Sequence, residues 1–478
     1  MDSSTGIRGR IQKLVTKYPT LRHVMVLLTG TALAQIVVMG VSVLTARLFT
    51  PEAFGQFAVF GSLTAIATTI ASLRLDMTIM LPEDDDEARR IARIATVSNL
   101  VVAGLFTLAA IVLRDLVISQ YGDPELASWL VLGGFTVFFV AQATMMQFWF
   151  NRRTDYRTIS VNRVQQAIGS AGGQLGFGLL GLRTLPGLIF GTLIGQAFAF
   201  VNLRLRAKDL FRPLPEGTTS GLELVRRYKK MPLLNMPTAL VDSLRINGIT
   251  LLIGTVALGA VGQFNLAWRM LQVPIGLINS AISQVFFQKL ARVRPGEMFP
   301  LVRATIIRSL LIAIVPFGLI YLVSPWMFLL VFGQQWDLAG EFARALTPWL
   351  AMQLVTSPIS TVFVVTDKQQ WMLAFSIVFC AAPLSLLYFS PLPLLETVFW
   401  LGLLMAGMLM LMLVMSLLAA RGYDRRRPTA TENPDQDPDS DPGTDPGRSP
   451  GIDPDPGTDP GAGTIPGQTP PSAPGGRA

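Results

Sequence analysis

Cysteine and histidine are almost missing from this sequence. The 478 residues include one cysteine, Cys380, and one histidine, His23. One thiol cannot form an intrachain disulfide, and with one imidazole it cannot build a structural zinc site or a histidine-based catalytic triad. No Gly-rich phosphate loop of the Walker type occurs either. The sequence therefore predicts no metal site, no cofactor and no catalytic centre of these kinds.

Charged side chains are also scarce. They make up 15% of the chain, against about 25% in a soluble globular domain. Hydrophobic residues make up 51% and recur in runs of about 20, the length that crosses a bilayer as a helix. The short alternating segments of a membrane β-barrel are absent. These features predict an all-α polytopic membrane protein with about twelve transmembrane helices.

The runs divide the chain into two halves of six spans each. We expect a basic cytoplasmic segment over residues 1–23 and a first six-helix bundle over 24–203. A cytoplasmic linker at 204–231 precedes a second bundle over 232–420. Residues 421–478 are acidic and rich in proline and glycine, a composition that predicts a disordered cytoplasmic tail.

A short internal repeat supports the division into halves. Gly55-Gln56-Phe57 opens the second span and Gly262-Gln263-Phe264 opens the eighth, 207 residues later. Because six spans separate the two copies, the repeats are parallel, related by an axis along the membrane normal. Transporters built this way place the substrate path in a central cavity between the halves.

The distribution of lysine and arginine predicts the orientation. Nearly all of these residues lie on the side of the N-terminus, and the opposite side carries only Arg47, Arg114, Arg183 and Arg344. The positive-inside rule then places both termini in the cytoplasm. The net charge of +8 is accounted for by this topology and by contact with anionic lipids. No stacking aromatics accompany the basic loops, so a nucleic-acid partner is not expected.

The eighth predicted span carries an arginine inside an apolar segment. An arginine at a helix centre costs about 2.5–3.5 kcal/mol and usually faces a cavity. Within one arc of about 80° lie Asn265, Arg269, Gln272 and Asn279. Arg269 has no acid one helical turn away, so its charge is uncompensated. The pattern favours a wet cavity wall; an interhelical hydrogen-bonding seam is the alternative.

Two further spans contain charged pairs. Asp242 and Arg245 are one turn apart, so they form either a structural ion pair or an ion-coupling acid beside an anion-binding arginine. Arg74 and Asp76 lie in a span predicted over 56–81. Helix geometry points these two side chains about 160° apart, so we expect no direct pairing. Asp76 is the other candidate for ion coupling, and Arg74 for anion binding.

Weaker signals mark the first, fifth and sixth spans. Thr31 and Gln35 share one face of the first span, and Gln166 and Ser170 are candidate cavity residues on the fifth. Repeated glycines favour close helix packing; they are Gly169, Gly172, Gly173, Gly176, Gly187, Gly191 and Gly195.

Several stretches resemble a known family. They are residues 46–55 (ARLFTPEAFG), 72–82 (SLRLDMTIMLP), 261–271 (VGQFNLAWRML) and 283–286 (SQVF). Together they are similar to polysaccharide-biosynthesis membrane proteins, the O-antigen and exopolysaccharide repeat-unit flippases. These share a superfamily with multidrug extruders and lipid II flippases. The resemblance covers roughly residues 20–420.

This resemblance implies two six-helix bundles around a V-shaped cationic cavity, with alternating access that is often coupled to an ion gradient. Members move an undecaprenyl-pyrophosphate-linked oligosaccharide from the cytoplasmic to the periplasmic leaflet of the bacterial inner membrane. By motif position, Arg74 and Arg269, followed by Arg245, would receive the pyrophosphate and acidic sugars. Membrane lipids, a polysaccharide polymerase or glycosyltransferases would be partners.

Two rival functions remain from the sequence. A multidrug or cation antiporter has the same architecture, although its cavity would be lined by acids and aromatics. A membrane polysaccharide polymerase or ligase is the other rival. Enzymes of that class carry large outer loops, and the predicted outer loops here are short.

Overall fold

A computed structural model describes residues 19–229, 231–290, 293 and 296–425, and no strand occurs among them. The basic segment up to residue 18 and the tail from residue 426 lie outside the described residues. The predicted all-α architecture is confirmed.

Twelve helices of 20 residues or more follow one another in the part of the chain that the structure describes. They are α1 Pro19–Leu48, α2 Pro51–Ala71, α3 Asp85–Val112, α4 Gly133–Arg152, α5 Tyr156–Leu179, α6 Leu185–Arg206, α7 Met236–Val256, α8 Leu258–Leu290, α9 Met298–Phe332, α10 Asp337–Ile359, α11 Gln369–Phe389 and α12 Leu394–Asp424. Short helices occupy the connections at Leu75–Thr78, Arg114–Tyr121, Pro124–Trp129, Gly221–Arg227 and Val362–Val365.

Ten of the long helices in the described residues are long and apolar enough to cross a membrane. Two long helices, α5 and α8, are rich in side-chain amides. Each carries an arginine about two to three turns from its start, Arg163 and Arg269 respectively. Such polar side chains favour a hydrated surface over contact with lipid.

Most helix contacts lie within each half, and the contact between the two halves is concentrated in one region. In the first half α5 lies between α1 and α6, while α4 packs against α3 and α2. In the second half α10 packs against α8, α9 and α12, and α11 packs against α7 and α12. The two halves meet mainly where α2 contacts α7 and α8.

The two glycines of the internal repeat face each other across the α2–α8 crossing. A Cβ on Gly55 would lie 1.7 Å from the carbonyl oxygen of Leu258, and a Cβ on Gly262 would lie 1.9 Å from that of Pro51. Each glycine thus meets the residue four positions before the other. Such reciprocal contact is the signature of a two-fold axis between the parallel repeats.

The second span is not the continuous helix that the sequence predicted over 56–81. Helix α2 ends at Ala71, and Leu73 and Arg74 then have left-handed backbones with φ of 48° and 60°. Non-glycine residues in this region cannot continue a right-handed helix. The Ser98 hydroxyl donates to the Ala71 carbonyl at 2.6 Å, which satisfies a helix-end acceptor in place of the next turn.

The last helix runs four residues past the boundary predicted at 420. The reason is the carboxylate of Asp424 at its end, which caps the start of α9. It accepts hydrogen bonds from the backbone N–H groups of Gly296, Met298 and Phe299 at 2.8–3.0 Å. Unpaired N–H groups at a helix start favour an anionic acceptor of this kind.

The linker between the halves is attached to the first half. Arg227, at the end of the helix Gly221–Arg227, forms an ion pair of 3.1 Å with Glu87 at the start of α3. The Thr219 hydroxyl donates to the same carboxylate at 2.6 Å. Glu87 raises the pKa of the Arg227 guanidinium above its ordinary value through its negative charge. These contacts therefore attach the linker to α3 and not to the second half.

Candidate functional site

A cavity of about 410 Å³ lies between α1 and α5. Four residues spaced i, i+3, i+4 and i+7 line it from each helix, so one stripe of α1 faces one stripe of α5. The lining residues are Thr31, Ala34, Gln35, Val38, Arg163, Gln166, Ala167 and Ser170. The sequence placed Thr31 with Gln35 and named Gln166 and Ser170 separately; the structure brings the two sets together.

Among the described residues, Arg163 is the only charged one that lines this cavity. Its guanidinium donates to the Thr31 hydroxyl at 2.9 Å and to the Gln147 amide oxygen at 3.5 Å. Arg163 also lines a second cavity of about 190 Å³ with Gln147, Asn151 and Tyr156. Both partners are neutral, so nothing in the described part of the chain cancels its charge.

Glycines on α5 set the direction of this stripe. A Cβ on Gly169 would lie 2.9 Å from the Cα of Gly195, and one on Gly173 would lie 2.7 Å from the carbonyl oxygen of Gly191. Backbone contact with α6 occupies this face of α5 and leaves the neighbouring stripe toward α1. The close packing that these glycines predicted is confirmed for these four.

Arg269 lies on α8, about 16 Å along the helix from its start at Leu258. Its side chain is partly exposed and makes no hydrogen bond or ion pair with any described residue. Asn265, one turn before it, is also partly exposed and likewise has no partner within the described ranges. The structure thus leaves this part of the predicted polar face of α8 without a hydrogen-bond or ion-pair partner among the described residues.

The rest of the polar face of α8 packs between helices, which was the alternative to a cavity wall. The Gln272 amide donates to the Gln353 amide oxygen of α10 at 3.0 Å. Asn279, further along α8, is buried, and its Oδ1 atom has no hydrogen-bond partner in the described residues. The predicted stripe therefore combines an unpartnered portion around Arg269 with an interhelical portion at Gln272.

Arg245 is engaged by its neighbours on two sides. Its guanidinium lies 3.6 Å from the Asp242 carboxylate and 4.7 Å from the ring centre of Phe379 on α11. The Arg245 side chain is 14% exposed, whereas that of Asp242 is 57% exposed. This arrangement fits a structural ion pair with a cation–π contact better than an open anion site.

Arg74 and Asp76 occupy the interruption after α2. As predicted they form no ion pair, but the cause is the left-handed backbone at Arg74 and not the angle between positions on one helix. Asp76 is 4% exposed, and its Oδ1 atom lacks a hydrogen-bond partner in the described part of the chain. A buried carboxyl without partners is costly when ionised, so it marks a candidate for proton or cation binding.

The two halves are joined at the end where α1 finishes and α2 begins; we call this contact the interhalf seam. Arg47 donates to the carbonyl oxygen of Val331, near the end of α9, at 2.8 and 3.0 Å. The indole N–H of Trp336 donates to the Ala46 carbonyl at 2.7 Å, and its ring packs edge-on against Phe54. The seam therefore closes one end of the molecule between the halves.

Arg163 is the functional candidate that the sequence missed. It follows a series of basic residues that begins at Arg152 and is typical of a cytoplasmic loop. Helix α5 begins at Tyr156, which places Arg163 about 10 Å along it. Its i, i+3 and i+7 spacing to Gln166 and Ser170 was the available signal.

No group of three or more His, Cys, Asp or Glu side chains that could hold a metal ion occurs within residues 19–425 as far as they are described. The site candidates are thus arginines, amides and two carboxylates. They can bind anions and sugar hydroxyls, and a buried carboxyl can take up a proton.

Comparison with solved structures shows the fold. The chain is similar to the lipid II flippase MurJ in an inward closed conformation, with a TM-score of 0.64 and 14% identity over 83% of this chain and 90% of that chain. It is also similar to a mutant of the Vibrio cholerae MATE transporter VcmN, with a TM-score of 0.54 and 11% identity over 84% and 96%. An outward-facing multidrug resistance MATE family transporter matches with a TM-score of 0.52 and 16% identity over 83% and 94%.

Comparison with protein families gives a more specific result. A comparison with curated proteins finds no match. The family model described as "Polysaccharide biosynthesis protein" matches residues 44–340. This match covers more than half of the chain and includes the Gly55 and Gly262 motifs and Arg269. The chain therefore belongs to the polysaccharide biosynthesis protein family.

Proposed function

We propose that the protein is a flippase for lipid-linked oligosaccharides. It would move undecaprenyl-pyrophosphate-linked repeat units from the cytoplasmic to the periplasmic leaflet of the bacterial inner membrane, with both termini cytoplasmic. The product would feed the synthesis of a surface polysaccharide such as O-antigen, capsule or exopolysaccharide. The observation that carries the proposal is the uncompensated Arg269 on a helix of a polysaccharide biosynthesis family member.

The chemistry of the substrate explains why such an arginine is needed. A pyrophosphate cannot enter hydrocarbon without a partner, because burying its charge costs far more than a single hydrogen bond returns. Arginine forms short, charge-assisted hydrogen bonds to phosphate oxygens in a fork geometry. With Asn265 one turn away, Arg269 offers the substrate a cation and a neutral donor on one polar stripe of α8. The lipid tails can stay in the bilayer meanwhile.

Movement across the membrane requires the halves to change their contact. In the proposed orientation the interhalf seam lies at the periplasmic end, so the structure corresponds to a state closed toward the periplasm. Release of the glycan there would require Arg47 to leave the Val331 carbonyl and Trp336 to leave Ala46. These are a few hydrogen bonds of about 0.5–1.5 kcal/mol net each, within the range that ligand binding can offset.

An acid is a natural place for ion coupling. Of the two candidates, Asp76 fits better, since it is buried without a partner at its Oδ1 atom, whereas Asp242 is mostly exposed and paired with Arg245. Binding of a proton or a sodium ion at the Asp76 carboxylate would offset its buried charge. We propose that this step favours one of the two conformations.

Multidrug export is the second candidate function, because MATE transporters share the fold. A pocket for cationic drugs needs acids to balance the drug's charge. In this chain Arg163 and Arg269, each on a long helix that is rich in side-chain amides, have no acidic partner in the described ranges. This charge pattern favours an anionic substrate.

The test is transport by Arg269 variants. Arg269→Gln should lower complementation of a flippase-deficient strain about tenfold or more, the loss expected for one hydrogen bond to a charged group. Arg269→Lys should recover part of the activity, since it keeps the charge. Arg303→Gln, the same change at an exposed arginine of α9, is the matched control. Normal transport by Arg269→Gln at equal protein level would remove Arg269 from the site.

A further inference from the structure

The α1–α5 cavity is not used by the proposed pyrophosphate contact, since Arg269 lies on α8 in the other half. The lining of this cavity differs from that of a site for a multiply charged anion. Besides Arg163, the polar lining is neutral: Thr31, Gln35, Gln166 and Ser170. Amides and hydroxyls both donate and accept hydrogen bonds, as sugar hydroxyls do. The lining therefore matches a glycan surface better than a multiply charged group.

The size of the cavity agrees with this reading. Its volume of about 410 Å³ falls within the about 300–1,000 Å³ of typical small-molecule sites. The second cavity of about 190 Å³ shares Arg163 with the first and adds Gln147, Asn151 and Tyr156. Two spaces that share one arginine and carry polar side chains in their linings suit consecutive residues of an oligosaccharide.

Arg163 defines the charge of the ligand. Its hydrogen bonds go to the neutral acceptors Thr31 and Gln147, so the positive charge itself stays uncompensated within the described residues. One guanidinium balances one negative charge. A carboxylate meets this requirement in fork geometry, and the neutral amides and hydroxyls around Arg163 can bind the uncharged hydroxyls of the same sugar.

We infer that the α1–α5 cavity binds the glycan head of the substrate and that Arg163 binds the carboxylate of an acidic sugar in it. This inference rests on the proposed function and adds a division of labour to it. The first half recognises the sugar through Arg163 and its amide neighbours. The second half holds the pyrophosphate at Arg269. Substrate selection then belongs to α1 and α5.

The test is protection of a cavity cysteine from maleimide. Gln166→Cys is made in a Cys380→Ala background, which removes the only native thiol. Ile168→Cys, an exposed position two residues along α5, is the control. If Gln166→Cys does not fold, Val38→Cys reports from the α1 side of the same cavity. The purified full chain is labelled with and without three probes.

The probes separate sugar from pyrophosphate. They are undecaprenyl pyrophosphate without sugar, the same lipid carrying a uronate-containing oligosaccharide, and that oligosaccharide lipid with its carboxyl reduced to an alcohol. The uronate lipid should slow labelling of Gln166→Cys and leave Ile168→Cys unchanged, while the sugar-free lipid should protect neither. Arg163→Gln should weaken binding of the uronate lipid about tenfold and leave binding of the reduced lipid unchanged.

The contrary outcomes are distinct. If the sugar-free lipid protects as well as the uronate lipid, the cavity binds pyrophosphate and not sugar. If the wild type binds the reduced lipid as tightly as the uronate lipid, Arg163 does not bind a carboxylate. If no probe protects the cavity while the wild type still flips lipid and Arg269→Gln does not, the inference fails and the proposed function stands. If the wild type neither binds nor flips any of these lipids, the proposed function fails with it.

Discussion

Three arginines within the helices show that neighbouring side chains decide whether an arginine is available to a ligand. Arg245 is held between Asp242 and Phe379, Arg163 between two neutral acceptors, and Arg269 by no described residue. An ion-paired arginine has little charge left for a ligand, because a ligand must displace the pair and restore its solvation. The order of availability is therefore Arg269, Arg163, Arg245.

Asp76 provides a prediction at this scale. Asp76→Asn keeps the size of the side chain and removes the proton-binding group, so flipping should become insensitive to an imposed proton or sodium gradient. Protein level should stay near that of the wild type, since the buried Oδ1 atom gives up no hydrogen bond within the described residues. The measurement is flipping by reconstituted protein with and without a gradient.

Asp242→Asn is the matched variant, because Asp242 is exposed and paired with Arg245. It should keep the response to the gradient. A full gradient response by Asp76→Asn would rule out Asp76 as the coupling acid.

For single residues, the sequence predicted which side chains are unusual better than it predicted what surrounds them. Arg245 and Arg269 were both recognisable, since an arginine in an apolar run is costly and rare. Their difference depends on Phe379, more than 100 residues away along the chain, and no local pattern shows it. Arg163 was missed because it ends a series of basic residues from Arg152 onward, and such a series is typical of a cytoplasmic loop.

Among elements, α2 carries the contact between the halves. It packs against α7 and α8, and the Gly55–Leu258 approach leaves no room for a side chain. Helices in membranes associate through such close packing, because lipid gives little hydrophobic driving force between them.

A valine at this contact should be much more harmful than one elsewhere on α2. Gly55→Val places new carbon atoms against the Leu258 carbonyl and should lower the free energy of unfolding by about 1–3 kcal/mol or more, as overpacking does. Gly61→Val, with no atom near its Cβ position, has the same helix propensity and should change little. Thermal unfolding midpoints of the two variants in detergent make the comparison. Equal midpoints would show that α2 and α8 can move apart at this crossing without loss of stability.

The sequence predicted the number and order of long helices but not their ends. The interruption at Leu73 and Arg74 has no proline or glycine to announce it. It is compensated by Ser98, a residue of the next helix. The extension to Asp424 likewise depends on N–H groups at the start of α9. Ends that are fixed by tertiary hydrogen bonds cannot be obtained from local periodicity.

For the whole molecule, a three-residue repeat, taken together with the division into six and six spans, predicted the relation between the halves. The glycines of that repeat lie at the contact itself, reciprocal between Pro51 and Leu258. Equivalent residues of two parallel repeats contact each other only near the two-fold axis, so the match was physically informative despite its length. The seam at Arg47 and Trp336 could not be predicted, because it joins residues that lie 284 to 290 positions apart along the chain.

The most direct test of the account is to delete the gene in a strain without another flippase of this family and to measure lipid-linked oligosaccharides in each leaflet. We expect complete repeat units to accumulate on the cytoplasmic face and surface polysaccharide to disappear. The wild-type gene should restore both, and the gene with Arg269→Gln should restore neither. Unchanged surface polysaccharide without any accumulated intermediate would contradict the flippase function.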